Sequence, residues 1–243
     1  MAVNLAVSLA ASGYQVGLMD ADVYGPNVPR MLGLGAEPMP AGGKIAPLEK
    51  YGLKVMSMGF LNPGDRPLVW RGPMLHSVVQ QFLREVDWGM LDYLVVDLPP
   101  GTGDVQLSLL QTVPISGAVV VTTPSEVSLE DARKAVVMFR TVNAEVLGIV
   151  ENMSYLIAPQ SGERIDVFGS GGGQRTSMEM GVPLLAELPL DPAVRIGGDG
   201  GDPIALRDGS HASAAVYHDL ARRTVERVQE TGGPAMPSIT VED

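Results

Sequence analysis

Asp20 and Asp22 follow the apolar run 15–19 and precede Val23, Tyr24, Gly25 and Pro26. Carboxylates leaving the carboxyl end of a parallel strand stand where open α/β sheets bind ligands. Such a pair can hold a hydrated magnesium ion or orient a water. The same residues also suit a helix N-cap and a turn. A second constellation is the apolar run Tyr93, Leu94, Val95, Val96, which delivers Asp97 into Leu98-Pro99-Pro100-Gly101-Thr102-Gly103-Asp104. Asp97 is there to bind magnesium through water, and Gly101 lets a backbone N–H approach a terminal phosphate. Pro-Pro-Gly also makes a plain turn before a helix at Asp104, but an aspartate at a buried strand end needs a partner. A third group joins Glu151-Asn152-Met153 to Leu188-Pro189-Leu190-Asp191. An amide side chain can pair with both a donor and an acceptor on an adenine edge, and an apolar-proline segment can lie against the ring. Either piece alone is an ordinary loop.

Other polar residues carry less. His76, His211 and His218 sit in helical segments without a companion ligand, which points to surface or interface positions. Arg30, Arg71 and Arg133 have no spacing that marks a phosphate site, so exposed, solvated arginines are the default.

The elements that must position these groups are strands at 15–19, 53–58, 93–97, 118–122, 145–150 and 184–187, alternating with helical patterns. That order builds an α/β fold, a doubly wound, mainly parallel sheet with helices on both faces. Several strands are continuous apolar runs, as expected when both faces are buried. Met74, Val78, Phe82 and Val86, with Leu75, Val79 and Leu83, form a broad apolar helical stripe. Ser128 with Asp131 resembles a capping box opening the helix of Ala132, Ala135, Val136 and Phe139. Ser210 opens a last helix through Val216, Leu220 and Val228, and the Gly-rich stretch 169–173 is a loop. One domain is expected over 1–230, with 231–243 a flexible tail.

Composition narrows the function. The 243 residues carry a formal net charge of -11 and a pI near 4.7, which repels nucleic acid and anionic membrane surfaces. No apolar stretch approaches the roughly 20 residues of a membrane span. The opening MAVNLAV lacks the positive flank and cleavage pattern of a signal peptide, so it is expected to be a helix in a cytoplasmic protein. With no cysteine in the chain, disulfides, thiolate zinc sites and a cluster held by its own thiolates are excluded.

The segments VNLAVSLAASGYQVGLMDADVYGPNVPRMLGL, DYLVVDLPPGTGDVQLSLLQ and GIVENMSYLI together resemble the Mrp family of iron-sulfur cluster carrier ATPases, relatives of the MinD and nitrogenase iron-protein group. The resemblance implies a P-loop NTPase fold that binds ATP and Mg2+. Asp20 and Asp97 would then serve magnesium and Asp22 the attacking water. Gly101 would lie at the phosphate and Asn152 at the adenine, with Pro189, Leu190 and Asp191 beside the base. It also implies a homodimer that carries a [4Fe-4S] cluster to client or assembly proteins. A MinD-like nucleotide switch without a cluster is the alternative, as is a remnant acting only by protein interaction.

Two departures shape the expectations. A phosphate loop of the form GKGGVGKST, with its feeding strand, normally ends just before x-A-V-N-L-A, and here x is Met1. The resemblance therefore implies a misplaced start, a sheet lacking a central strand, poor folding and very weak ATP binding. Ala158 and Ser161 stand where the family's Cys-x-x-Cys pair is expected, so cluster carriage by that route is in doubt.

Overall fold

The structure is a computed structural model and describes residues 1–61, 72–103, 106–107, 110 and 115–232. Arg71, the expected helix start at Asp104 and most of the tail lie outside them. The helices are α1 (Ala2–Ala11), α2 (Val28–Met31), α3 (Gly72–Glu85), α4 (Glu126–Thr141), α5 (Gly172–Met180), α6 (Pro192–Gly200) and α7 (Ala212–Glu230). The strands are β1 (Val16–Asp20), β2 (Met39–Ala41), β3 (Lys44–Ala46), β4 (Leu48–Lys50), β5 (Leu53–Ser57), β6 (Tyr93–Asp97), β7 (Ala118–Thr122), β8 (Val146–Ile157), β9 (Arg164–Ile165) and β10 (Leu184–Pro189).

All five residues of β1 are buried, so both faces of its sheet are covered. β1 lies between β5 and β6, parallel to both, and β4 closes the outer edge antiparallel. Its register sets Asp20 level with Ser57 and with Asp97, so three polar side chains end up at one carboxyl edge. A second parallel sheet runs β10-β8-β7, with Thr122 and Glu187 opposite Glu151. α1 and α7 contribute Leu5, Leu9, Leu220 and Val225 to a core that takes in β1, β5 and, from the second sheet, Val150 and Leu188. Leu98 also touches the smaller core of α4, β7 and β8, which joins the two halves.

The α/β architecture and the mainly parallel strands agree with the sequence reading, and among the described residues the sheet comes in two parts, in line with the expected lack of a central strand. Among the described residues no strand pairs with the edge of β6 away from β1, or with the edge of β7 away from β8. Every residue of β6 is only half-buried, in contrast to its neighbour β1, and Val121 of β7 is 42% exposed. Two apolar strand edges with unpaired backbone groups are templates for a further strand.

Several boundaries shift for local reasons. α4 begins after Ser125, not at Ser128; Ser128 Oγ instead accepts a 3.4 Å bond from the Thr123 N–H. α7 begins after His211 because Ser210 turns back, its N–H donating to Asp208 at 3.2 Å. Gly172 and Gly173, expected in a loop, form the first turn of α5. Met74 departs from the expected apolar stripe and is 54% exposed, while Val79, Phe82 and Val86 are buried. β8 runs on through Asn152 to Ile157.

The segment after β1 is held down by a close backbone approach. Gly201, at φ 74° just past α6, packs on Gly33, itself at φ 65° just past α2. A Cβ on Gly201 would lie 2.6 Å from Gly33 Cα and 2.7 Å from Gly33 N. Gly201→Ala meets both a left-handed backbone and a clash with main chain, and is expected to cost roughly 3 kcal/mol. Urea denaturation checks this, and a variant as stable as the parent would refute it.

Candidate functional site

The Asp20 carboxylate is 1% exposed. Its Oδ1 accepts the Asp22 N–H at 3.1 Å, and its Oδ2 accepts the Ser57 hydroxyl at 2.7 Å and the Val28 N–H at 3.3 Å. Burial pushes its pKa up to about 6 against the hydrogen bond from Ser57, with a small further push from Asp97. Asp20 thus ties β1 to β5 and to the start of α2. Ser57 was missed by sequence reasoning, and only the β1–β5 register exposes its role.

Asp97, one strand over, is also raised, mainly by burial. The Met1 amino group opposes that shift and Asp22 adds to it. The amino end of α1 therefore stands beside Asp97. Asp22 closes a turn, its Oδ1 accepting the N–H groups of Tyr24 at 2.9 Å and Gly25 at 3.2 Å. The Ala21 N–H donates to the Asp97 carbonyl at 2.9 Å, locking the loop after β1 to the end of β6.

Gly101 has φ 97° and an open Cβ direction, so its requirement for glycine is one of backbone conformation. The loop is fastened by buried Gln106, another residue missed by sequence reasoning, whose amide donates to the Pro100 carbonyl at 2.8 Å and to that of Pro99 at 3.3 Å.

The second group gathers where β8 bulges beside the carboxyl end of β10. Asn152 is half-buried beside Met153, which has φ 53°. Pro189 ends β10 opposite Tyr155, and the Leu190 N–H donates to the Tyr155 carbonyl at 2.7 Å. Asp191 caps α6, accepting the Ala193 N–H at 2.8 Å and the Ser213 hydroxyl at 2.5 Å, while His211 Nε2 lies 3.9 Å from it. Its oxygens are thus committed to the protein.

Ala158 and Ser161 occupy the β8–β9 hairpin turn, closed by the Gly162 N–H on the Ala158 carbonyl and the Ala158 N–H on the Glu163 carbonyl, each at 2.9 Å. Neither side chain can ligate iron as a thiolate. Among the described residues no three His, Cys, Asp or Glu side chains converge on a point that could hold a metal directly. The lysines are engaged elsewhere: Lys44 with Asp87, Lys50 over Tyr51, Lys54 with the Trp88 carbonyl and Lys134 with Asp131. Arg133 pairs with Glu126 at 2.6 Å.

Residues 1–225 match the model of the ParA family described as NUBPL iron-transfer P-loop NTPase. The chain belongs to this family. It is 51% identical over 234 residues to an iron-sulfur cluster carrier protein of Synechocystis, covering 94% of this chain and 66% of that protein. It is 45% identical over 233 residues to the mouse iron-sulfur cluster transfer protein NUBPL, covering 95% of this chain and 73% of the relative. Against the carrier proteins of Synechocystis, Deinococcus radiodurans and Aquifex aeolicus, it spans 66%, 63% and 62% of their lengths. Among solved structures, a nucleotide-binding protein of Archaeoglobus fulgidus in complex with ADP is 36% identical, with a TM-score of 0.74 over 83% of this chain and 79% of that one. The cell division ATPase MinD of Pyrococcus furiosus, 22% identical with a TM-score of 0.67 over 93% of this chain and 91% of that one, shares the fold. Among the described residues no helix of this family member is long and apolar enough to cross a membrane.

Proposed function

We propose that the chain is a magnesium- and ATP-dependent component of iron-sulfur cluster transfer, a cytoplasmic homodimer that hands its cargo to client proteins and hydrolyses ATP. The observation that carries this reading is the pair Asp97 and Asp22. Burial and mutual repulsion raise Asp97, and a divalent cation would offset both. Asp97 and Asp20 would hold magnesium through its waters, and the ion would neutralise phosphate charge. Of the two, Asp97 has the freer carboxylate, since Asp20 already accepts three hydrogen bonds. Asp22 would orient the attacking water. The positive φ of Gly101 suits a backbone N–H turned toward the terminal phosphate, and the amino end of α1 favours the anion. Asn152 would take the adenine edge, with Pro189 and Leu190 against the ring and Asp191 fixing that wall as the α6 cap.

The cluster is cargo here, and these 243 residues offer it no thiolate ligand.

Thermal unfolding with and without millimolar Mg-ATP tests the reading. A tenfold excess of ligand over Kd stabilises by about 1.4 kcal/mol. The wild-type chain is expected to gain thermal stability, and chelating the magnesium or making Asp97→Asn should abolish the gain. A wild-type midpoint indifferent to Mg-ATP sinks the proposal.

A further inference from the structure

Glu151 takes no part in binding magnesium or phosphate, yet it is the most completely buried carboxylate described, at 0% exposure. Its Oε1 accepts the Ser154 hydroxyl at 2.5 Å, and its Oε2 accepts the Gly173 N–H in the first turn of α5. That amide has no partner within the helix, and a carboxylate at a helix amino end is favoured by both the free N–H and the helix dipole. These contacts give both oxygens of the buried carboxyl group a donor.

The packing is tight enough to depend on glycine. A Cβ on Gly173 would lie 2.8 Å from Glu151 Oε2, and one on Gly172 would lie 2.7 Å from Leu129 Cδ1 and 2.9 Å from the Pro124 carbonyl. The amino end of α5 is thus wedged between the middle of β8 and the loop after β7.

Register shows what the anchor controls. Glu151 pairs with Glu187 and Tyr155 with Pro189, so Asn152, Met153 and Ser154 on β8 stand against Leu188 alone on β10. This is a bulge, and Met153 accommodates it at φ 53°, a conformation that a non-glycine residue adopts at a cost. The Glu151–Ser154 hydrogen bond spans the bulge and the Glu151–Gly173 bond fixes its base, so both brackets enclose Asn152. Asn152 remains half-buried, and its side chain makes no hydrogen bond among the described residues.

We infer that Glu151 is a positioning residue for base recognition: its carboxylate, clamped between Ser154 and the amino end of α5, holds the β8 bulge that sets Asn152 for the base. The inference rests on the assignment of Asn152 to adenine. Glutamine at 151 offers one acceptor oxygen where two donors now converge, so one bracket opens while side-chain volume is kept.

The experiment is titration of the full chain with Mg-ATP and with Mg-GTP, for wild type, Asn152→Ala, Glu151→Gln and Ser154→Ala. Mn2+ binding reports separately on the carboxylate site. Glu151→Gln is expected to reduce the ATP-over-GTP preference about tenfold, as loss of one directed hydrogen bond would, and to leave Mn2+ affinity unchanged. Ser154→Ala, which opens one bracket only and keeps the α5 anchor, is expected to fall in the same direction. It decides the matter if Glu151→Gln does not fold. A wild type and Asn152→Ala that show the same base preference overturn the Asn152 assignment and the inference with it. A preference lost in Asn152→Ala but kept in folded Glu151→Gln and in Ser154→Ala overturns the inference alone.

Discussion

Anaerobic reconstitution with iron and sulfide is expected to leave the wild-type chain colourless, while the double variant Ala158→Cys, Ser161→Cys takes up a cluster shared between two copies. The wild-type half follows from composition, because a four-iron cluster requires four thiolates and this chain has none. The variant half follows from the hairpin. Residues 158 and 161 lie on one turn closed by two backbone hydrogen bonds, and Ser161 is exposed while Ala158 is half-buried. One turn can offer two thiolates, so a complete ligand set needs two chains meeting at this hairpin. Ile157, Ile165, Val167 and Phe168, each between 43% and 46% exposed, provide apolar surface around it. The expected product holds about two irons per chain, absorbs in the visible through thiolate-to-iron charge transfer and doubles in mass on gel filtration. A wild-type chain that binds stoichiometric iron and sulfide would refute the first half. A variant that stays colourless would show that the turn does not present the two positions together.

The second large effect is a loss of stability as pH rises through the mildly acidic range. Asp20 shifts from 3.8 to about 6 on folding. Its folded-state value is the higher one, so the native protein binds the extra proton between them. The associated stability is complete below 3.8 and lost as pH climbs through about 6. A shift of about two units corresponds to about 3 kcal/mol at 1.36 kcal/mol per unit. Asp97 is raised as well and pushes in the same direction. Urea unfolding of wild type and Asp20→Asn from pH 4 to 7 isolates the Asp20 share. The stability difference between them is expected to move by about 2.4 kcal/mol in favour of the asparagine variant across that window and then level off above about pH 6.5. Part of the gain is offset at every pH, because asparagine cannot accept from Ser57, Val28 and Asp22 together. Parallel curves for the two proteins across this window would refute the shift.

The candidate site was partly legible because strand ends announce themselves: an apolar run closed by an aspartate needs no partner sequence to be seen. Asp20 and Asp97 were identified in this way, and the β1–β6 register sets them side by side. The second group was less legible. The apolar run predicts a strand over 145–150 that ends before Glu151, whereas β8 continues to Ile157 through a bulge. A left-handed Met153 has no sequence signal, since methionine carries no preference for that conformation.

The amino-acid sequence by itself determined the parallel α/β class, the strand-end carboxylates, the acidic surface and the absence of thiolates, because each is a property of local pattern or composition. Tertiary structure alone decided that Asp20 is claimed by Ser57, 37 residues away, and that Glu151 caps α5 and closes the β8 bulge. The physical reason is that periodicity reports which residues are buried, whereas the partner of a buried polar group is chosen by strand register and helix placement. Those are long-range choices fixed only when the whole core packs.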